Sequence, residues 1–255
     1  MNLQLEELKK IIPNDGPPIE QVSKYIKKYK NDIICLKYSG NVFLDREIFN
    51  NFIHDLSILN KLGLSIIVIH GGGPRIKKEL EKSNIQSEFI RGLRVTTEKM
   101  IDIVENVLID FNNDIVTSLE KMGTKAVGIH TKKNNAIEVK RDEPELGFVG
   151  TPNKINNEII LNIIKDDKIP IISPLGLQEN QAFNINGDVA AGKIAQSLKC
   201  RRLLLMTNVE GVLDQNKKLI EEISSSEILE MVKNETITGG MIPKINMGLE
   251  SINNG

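Results

Sequence analysis

The sequence has few of the residues that build disulfide frameworks or structural metal sites. It contains 2 cysteines, Cys35 and Cys200, and 3 histidines, His54, His70 and His130, in 255 residues. Both cysteines adjoin apolar, strand-like runs, which is typical of buried small hydrophobes in a reducing compartment. The histidines lie far apart, without the spacing of a ligand set. The sequence therefore predicts neither a disulfide nor a metal site built by the protein.

No charge of one sign predominates, and no apolar run is long. The 33 Lys and Arg residues are matched by 34 Asp and Glu residues, so no electrostatic footprint for nucleic acid or an anionic membrane is present. The N-terminal segment lacks the uninterrupted apolar core of a signal peptide, and no run approaches a membrane span. We predict a cytoplasmic protein with no nucleic acid and no membrane among its partners.

Short apolar runs alternate with stretches of helical spacing, which favours an α/β fold. Hydrophobic residues make up 40% of the sequence, enough for a sizeable core. The strand-like runs include residues 33–37, 64–70, 170–176 and 201–207, and the helical stretches include 45–62, 97–122 and 187–198. This alternation predicts a mostly parallel sheet covered by helices. Residues 136–152 are expected to form a hairpin projecting from the sheet.

An apolar, β-branched run leads into three consecutive glycines, and a helical pattern begins directly after them. The segment LSIIVIHGGGPRIKK has Gly71, Gly72 and Gly73 at its centre. Glycines let backbone N–H groups approach a ligand closely, and the start of the next helix favours an anion. The spacing matches neither G-x-x-x-x-G-K-[ST] nor G-x-G-x-x-G. We expect an anionic ligand here; a tight turn without a ligand is the alternative for this motif taken alone.

Three charged residues stand at strand ends or in first helical turns, where ligands bind in open α/β folds. Lys37 ends the first strand of the core, Asp188 follows NING, and Lys244 ends TGGMIPK. Taken singly, each could be a solvated edge residue or a partner of a helix dipole. Between two lysines, however, Asp188 could hold both ammonium groups. Together with the glycines they form a candidate clamp for phosphoryl transfer, which needs positioning and charge neutralisation more than covalent help.

Six motifs in a fixed order resemble the amino acid kinase family. They are KYSG, HGGGP, RGLRVT, NINGD, TNVEGVLD and GGMIPKI, and they run from about residue 33 to the end of the chain. Within the family they look most like the branch that phosphorylates N-acetyl-L-glutamate. The resemblance implies a three-layer αβα fold with an open, mostly parallel sheet. It also implies transfer of the γ-phosphoryl group of ATP to the side-chain carboxylate of N-acetyl-L-glutamate in arginine biosynthesis, with Mg2+ held mainly by the ATP phosphates.

The resemblance assigns catalytic roles to individual residues. Lys37 would contact the migrating phosphoryl group, and Lys244 would support the nucleotide phosphates and the leaving oxygen. Asp188 would orient both lysines. Gly40 and Gly72 would supply backbone N–H donors to the same phosphoryl group.

Substrate and nucleotide contacts follow from the same resemblance. Arg94 would bind the α-carboxylate of the amino acid, for which a planar guanidinium is suited, although the sequence also allows a surface or capping role. Asn184 and the Gly72 to Gly73 peptide would help hold the acetylated amino acid. The nucleotide would be bordered by Lys37 and Lys244 together with Thr207, Asn208, Gly211, Gly239, Gly240 and Met241.

The resemblance also divides the chain. Residues 1–31 would be an N-terminal helical extension, residues 32–182 the amino-acid substrate lobe, and residues 183–255 the nucleotide-binding lobe. That last lobe is short at its C-terminal end, so the sheet edge formed by the last apolar run is expected to be less protected. The extension resembles that of arginine-inhibited hexamers. We expect a homodimer, with a hexamer through the N-terminal helices or a plain surface extension as alternatives.

Two positions depart from the family pattern and keep other functions open. Ser39 replaces the first of two glycines usual after the lysine, and Asn208 stands where an aspartate is usual. The alternatives are a kinase for another acylated amino acid carboxylate, of the aminoadipate type, or a non-catalytic regulatory relative. The presence of Lys37, Arg94, Asp188 and Lys244 together favours an enzyme. A nicotinamide-dependent enzyme is disfavoured by the glycine spacing.

Overall fold

A computed structural model describes residues 5–14, 16–40, 45–207, 209–237 and 241–253. The strands are β1 (Ile33–Tyr38), β2 (Ser65–His70), β3 (Phe89–Ile90), β4 (Leu93–Arg94), β5 (Ala126–Ile129), β6 (Ile137–Arg141), β7 (Gly150–Ile155), β8 (Ile169–Ile172), β9 (Leu175–Gln178), β10 (Gln181–Asn184) and β11 (Arg202–Met206). The helices are α1 (Leu5–Ile11), α2 (Ile19–Tyr29), α3 (Arg46–Lys61), α4 (Gly73–Lys82), α5 (Glu98–Lys121), α6 (Asn157–Lys165), α7 (Gly187–Ser197), α8 (Ser225–Lys233) and α9 (Met241–Asn253).

The centre of the described structure is a parallel sheet with the strand order β11-β1-β2-β8-β5. Tyr38 at the end of β1 pairs with His70 at the end of β2 and with Met206 at the end of β11. The carboxyl ends of three neighbouring strands therefore lie in line at one edge. The mostly parallel sheet predicted from the sequence is confirmed.

Helices cover both faces of this sheet, because side chains alternate between the two faces along each strand. On one face, Val68 belongs to a core that contains Phe52 of α3 and Phe111 of α5. On the other face, the intervening side chains pack with Ile160 of α6 and Ile194 of α7. The result is the three-layer arrangement expected for strands that are apolar on both sides.

A second sheet has the order β10-β9-β6-β7 among the described strands and lies beyond the end of β8. The hairpin predicted within residues 136–152 is present as the antiparallel pair β6 and β7, in this second sheet. The run at residues 170–176, predicted as one strand, is divided at Ser173 and Pro174 into β8 of the central sheet and β9 of the second sheet. A proline has no N–H to continue a ladder, which explains the break at this point.

The hairpin of β3 and β4 was not among the sequence predictions. Its two strands have two residues each, and the turn uses Arg91 with φ of 50° and Gly92 with φ of 80°. Two successive positive φ angles are typical of a type I′ turn, which matches the twist of paired strands. Strands of this length carry no detectable alternation, so only the Arg-Gly pair could have indicated them.

Local signals set many helix boundaries. The Asp45 side chain accepts hydrogen bonds from the N–H groups of Glu47 and Ile48 at 2.7 and 3.2 Å and so caps the start of α3. The stretches 45–62, 97–122 and 187–198, predicted as helical, contain α3, α5 and α7, and no bound differs by more than one residue. Among the described residues, no helix is both long enough and apolar enough to span a membrane. The division of the chain into an extension and two lobes stays a prediction.

Candidate active site

Three elements that are distant in sequence bring their charged residues together. Lys37 lies near the end of β1, Asp188 in the first turn of α7, and Lys244 in the first turn of α9. Lys37 Nζ lies 2.8 Å from Asp188 Oδ1, and Lys244 Nζ lies 2.8 Å from Asp188 Oδ2. The second contact is a hydrogen bond, whereas the first is an ion pair outside hydrogen-bond geometry. One carboxylate thus holds two ammonium groups, as the sequence indicated.

The electrostatics of this trio depend on burial. Lys37 is 6% exposed and Asp188 8%. Burial opposes the charge on Asp188, but the attraction of Lys37 and the hydrogen bond from Lys244 outweigh it, so the pKa of Asp188 lies below its ordinary value. Burial lowers the pKa of Lys37, and the attraction of Asp188 counteracts that effect. With two cations and one anion, the trio carries an excess positive charge that suits an anionic ligand.

A short cap at the start of α7 places Asp188. The Asn186 side chain accepts hydrogen bonds from Asp188 N at 2.9 Å and from Val189 N at 3.2 Å. This is the usual way in which an asparagine begins a helix. It fixes Asp188 as a first-turn residue, where the positive end of the helix also favours a carboxylate.

The two glycine loops pack backbone against backbone beside the trio. A Cβ on Gly40 would lie 3.0 Å from Gly72 N, and a Cβ on Gly71 would lie 2.8 Å from Gly40 N. A Cβ on Gly72 would lie 2.5 Å from Leu108 Cδ2. The contacts of Gly40 and Gly71 are with backbone atoms of the other loop, so glycine at these two positions permits the close approach of the loops, whereas the Gly72 contact is with a side chain of α5. Ser39, the departure from the family pattern, donates its N–H to Met206 O at 3.1 Å.

A cavity of about 210 Å3 opens between these elements. Its lining brings together seven of the predicted site residues: Lys37, Gly40, Gly72, Gly73, Arg94, Asn184 and Asp188. The start of α4 and the hairpin of β3 and β4 complete the wall. The chemistry that the sequence assigned to separate motifs is thus concentrated at the carboxyl ends of the central strands, where open α/β folds bind ligands.

The hairpin presents Arg94 to the cavity. The guanidinium donates to Ser87 Oγ and, at 3.3 Å, to Gly73 O. It also lies over the Phe89 ring, 4.7 Å from the centroid. Burial lowers the pKa of Arg94. Among the described residues, no carboxylate contacts this stacked and partly buried guanidinium, and its planar group is suited to the carboxylate of a ligand.

The second polar wall is formed by Asn184 at the end of β10. Its Nδ2 donates to Thr96 Oγ1 at 3.1 Å, and Thr96 Oγ1 donates in turn to Arg94 O at 3.1 Å. Thr96 is fully buried. This chain of hydrogen bonds ties Asn184 to the strand that carries Arg94, so the two predicted substrate contacts are held as one unit.

Three further residues predicted to border the nucleotide, Thr207, Gly211 and Met241, belong to the described part of the chain. Thr207 follows β11, whose last carbonyl accepts the N–H of Ser39, and Met241 begins the helix that carries Lys244. Gly211 has φ of 151°, and a Cβ there would lie 2.7 Å from Leu219 Cδ1. None of these three lines the 210 Å3 cavity. Asn208, Gly239 and Gly240, also predicted here, lie outside the described residues.

Several functional contacts were missed by the sequence predictions. Asn186 could have been found, because an asparagine just before a helical pattern is a capping signal. Phe89, Thr96 and Leu108 lie in a hairpin, a connecting segment and the middle of a helix, and nothing in their local sequence marks them. Their partners are distant along the chain, so only the folded structure reveals them.

The described residues contain no group of three or more His, Cys, Asp or Glu side chains placed to hold a metal ion. Among the described residues that line the cavity, Asp188 supplies the one carboxylate, and both of its oxygens contact lysines. This donor set is suited to an anionic ligand and not to direct coordination of a cation.

Comparison with known proteins supports this description. The model of the amino acid kinase family matches residues 32–255. The acetylglutamate kinase of Pelagibacter ubique (strain HTCC1062) is 50% identical over 255 residues, which is 100% of this chain and 88% of that protein. The acetylglutamate kinase of Campylobacter fetus subsp. fetus (strain 82-40) is 40% identical over 234 residues, 91% of this chain and 84% of that protein.

Solved structures agree on the fold. The protein smu.665 from Streptococcus mutans UA159 is 30% identical, with a TM-score of 0.80 over 88% of this chain and 91% of that one. N-acetylglutamate synthase from Neisseria gonorrhoeae, complexed with coenzyme A and N-acetyl-glutamate, is 19% identical, with a TM-score of 0.83 over 92% of this chain and 55% of that one. The latter shows a likeness of fold alone. From its motifs, its site and these relatives, the chain belongs to the amino acid kinase family.

Proposed function

We propose that this protein is an acetylglutamate kinase, transferring the γ-phosphoryl group of ATP to the side-chain carboxylate of N-acetyl-L-glutamate. The observation that carries the proposal is the contact of Asp188 with both Lys37 and Lys244 beside the glycine loops. The relatives named acetylglutamate kinase, up to 50% identical over the whole chain, support the choice of substrate. The reaction fits a place in arginine biosynthesis, and we propose a cytoplasmic location.

The acceptor needs no general base. A glutamate-type side chain has a reference pKa of about 4.3 and is ionised at neutral pH. The difficulty is the repulsion between this carboxylate and the phosphates of ATP. Lys37 would neutralise charge on the phosphoryl group in transfer, and Lys244 would do so on the leaving oxygen. Asp188 keeps the two ammonium groups apart and aimed, and it does not itself need to touch the substrate.

The backbone supplies the remaining donors. The N–H groups of Gly40 and Gly72 would bind the equatorial oxygens of the transferring group. A Cβ on Gly40 would lie 3.0 Å from Gly72 N and so would disturb the packing of the two loops that present these donors. Arg94 would bind the α-carboxylate of N-acetyl-L-glutamate, and Asn184 with the Gly72 to Gly73 peptide would hold the acetylated amino group. Each of these groups lines the same cavity, which supports a single amino-acid site.

The nucleotide would lie beyond the lysines, against Thr207, Gly211 and Met241. Mg2+ would enter with ATP and be held by phosphate oxygens, because both oxygens of Asp188 are occupied by lysines. The metal would supply charge neutralisation on the phosphates. We further propose the division into an N-terminal extension, a substrate lobe from residue 32 and a nucleotide lobe from residue 183, and assembly as a homodimer or as a hexamer through α1 and α2.

The test is ATP-dependent formation of an acyl phosphate, trapped with hydroxylamine. N-acetyl-L-glutamate is compared with glutamate, aspartate and N-acetyl-aminoadipate. Selective turnover of N-acetyl-L-glutamate is the expected result. Turnover of the aminoadipate compound in its place would reassign the substrate, and no turnover by folded protein would refute the kinase assignment.

A matched pair of variants tests the site. Lys37→Met should lower kcat by orders of magnitude because it removes a cation from the transfer site. Lys82→Met removes a lysine that is also paired with a carboxylate, Glu79 at 2.7 Å, but on the exposed surface of α4. It should leave kcat unchanged. Equal activity of the two variants would refute the role of Lys37.

A further inference from the structure

We infer that His70 is a positioning residue for phosphoryl transfer: as a neutral Nδ1–H imidazole it holds the Gly71 carbonyl and thereby aims the Gly72 N–H into the cavity. The inference rests on the proposed function and extends it to a residue that does not touch the substrate. It depends on a buried set of polar groups behind the glycine loop, formed by His70, Asn112 and Ser173.

The His70 ring is fully buried at the end of β2. Its Nδ1 lies 3.3 Å from Gly71 O, and its Nε2 lies 3.1 Å from Ser173 Oγ and 3.2 Å from Asn112 Nδ2. The ring meets the Phe111 ring edge to face, with centroids 5.0 Å apart. Three polar neighbours and one aromatic neighbour leave the ring a single orientation.

The hydrogen-bonding capacities of the neighbours determine the tautomer. Asn112 Nδ2 also donates to Ile171 O at 2.8 Å, so the amide nitrogen must lie on this side. A flipped amide would set oxygen against oxygen. Since Asn112 Nδ2 can only donate, His70 Nε2 must accept, and since Gly71 O can only accept, Nδ1 must carry the proton. The neutral Nδ1–H form satisfies both contacts. Ser173 Oγ is compatible with it, because its single proton can be donated to Nε2 at 3.1 Å in place of Leu108 O at 3.4 Å.

The proton on Nδ1 then fixes a peptide group. The Gly71 carbonyl and the Gly72 N–H belong to one planar trans peptide and point in opposite directions. With the carbonyl held toward His70, the N–H points away from the ring. The Gly40 backbone lies on the cavity side of this loop, so close that a Cβ built on Gly40 would lie 3.0 Å from Gly72 N. In the described part of the chain no group accepts this N–H, and Gly72 lines the cavity. A free donor, aimed and held, is what a developing oxyanion requires.

A glycine peptide needs such support because it lacks the steric restriction of other residues. This peptide is flanked by Gly71 and Gly72, which could rotate it at little cost, since glycine allows positive and negative φ alike. One further hydrogen bond, from Gly71 N to Tyr38 O at 2.9 Å, fixes the preceding peptide but not this one. The hydrogen bond from His70 therefore restrains the Gly71–Gly72 peptide, which the glycines themselves leave free to rotate.

Two substitutions distinguish the role of His70 Nδ1 from the role of Nε2. His70→Asn places an amide near Nδ1 and can still donate to Gly71 O, whereas His70→Gln places an amide near Nε2 and can still accept from Asn112 and Ser173. We expect His70→Gln to lower kcat about 100-fold, as for a misplaced catalytic group, with the KM values for ATP and the acceptor little changed. His70→Asn should retain most of kcat even where it costs more thermal stability.

Long-range 1H–15N spectra of the wild-type imidazole provide a readout that does not involve turnover. A neutral ring protonated on Nδ1 at neutral pH is expected, and an Nε2–H ring would overturn the inference. The inference would also be overturned if both variants lost kcat in proportion to their loss of stability, or if His70→Gln kept the wild-type kcat. If the wild-type protein phosphorylates none of the tested acids, the proposed function is refuted. If the wild-type protein turns over normally and His70→Gln has the same kcat, only the inference on His70 is refuted.

Discussion

Lys244 Nζ lies 2.8 Å from Asp188 Oδ2, although 56 positions separate the two residues in sequence. The contact fastens the first turn of α9 to the first turn of α7. Farther along the same helices, Lys193 Nζ lies 3.3 Å from Glu250 Oε2. The position of the nucleotide-side lysine is therefore set by a carboxylate that also sets Lys37.

Removal of this shared carboxylate should cost more stability than removal of one lysine. Asp188→Asn leaves two largely buried ammonium groups without a counter-charge, for which a loss of about 3–5 kcal/mol in the free energy of unfolding is expected. Lys37→Met keeps the apolar stem and leaves Asp188 paired with Lys244, so its cost should be smaller. Urea unfolding of both variants measures the difference. Equal losses would contradict the shared role of Asp188.

Arg94→Lys should weaken binding of the amino acid more than binding of ATP. A lysine cannot reproduce the planar two-point contact with a carboxylate or the stacking on Phe89. A loss of about 1.5–3 kcal/mol, the range for hydrogen bonds to charged groups, corresponds to about a 10- to 100-fold rise in KM for N-acetyl-L-glutamate. Steady-state kinetics with each substrate varied in turn provide the measurement.

The hairpin offers a control for that experiment. Arg91 lies in the turn of the hairpin that carries Arg94, but it pairs with Glu143 and Glu145 on the exposed surface. Arg91→Lys should leave KM for the amino acid unchanged. A similar rise in KM for both variants would indicate a general effect of the hairpin and not a contact of Arg94 with the substrate.

Gly72→Ala should destabilise the protein through a specific collision. The added Cβ would lie 2.5 Å from Leu108 Cδ2, and overpacking of a core typically costs about 1–3 kcal/mol. Gly73→Ala is the control for stability, since a Cβ there meets nothing within 4 Å. Combination with Leu108→Ala should recover part of the loss. Additive effects in the double-mutant cycle would show that the collision is not the cause.

Stability should fall in mild acid because of His70. Burial is the largest cause that lowers the pKa of His70 to about 4, and Arg75 and His130, the charged or titratable groups facing it, act in the same direction. In the unfolded chain, His70 binds a proton near pH 6.5. The contribution of neutral His70 to the free energy of unfolding is therefore complete above that pH, and it is lost as the pH falls toward 4. The difference corresponds to about 3 kcal/mol.

The pH dependence can be measured by urea unfolding between these limits. The pKa of His130 is also lowered, chiefly by burial, and contributes with the same sign. His70→Gln should therefore reduce the slope of stability against pH without abolishing it. An unchanged slope would show that His70 is not the group responsible.

Local signals in the sequence were sufficient for most of the secondary structure and for the charged centre of the site. Helical spacing predicted the stretches that form α3, α5 and α7. Lys37, Asp188 and Lys244 stood at strand ends and helix starts, where convergence could be expected. The same reasoning could not find the support of His70, because Asn112 and Ser173 are 42 and 103 positions away. Local sequence reasoning also could not find the division between β8 and β9, because the two strands form one apolar run in sequence but belong to different sheets.

Both glycine loops leave the central sheet while still bonded to it: Ser39 N donates to Met206 O, and Gly71 N to Tyr38 O. The ladder thus extends one residue past each strand, and the backbone donors of the site inherit the register of the sheet. A one-residue insertion before Gly40 or Gly72 would change which peptide faces the phosphoryl position. A change of acceptor on this fold should therefore arise through the hairpin that carries Arg94, because the length of that hairpin is not coupled to the central sheet. The lengths of the two glycine loops at the strand ends should stay the same.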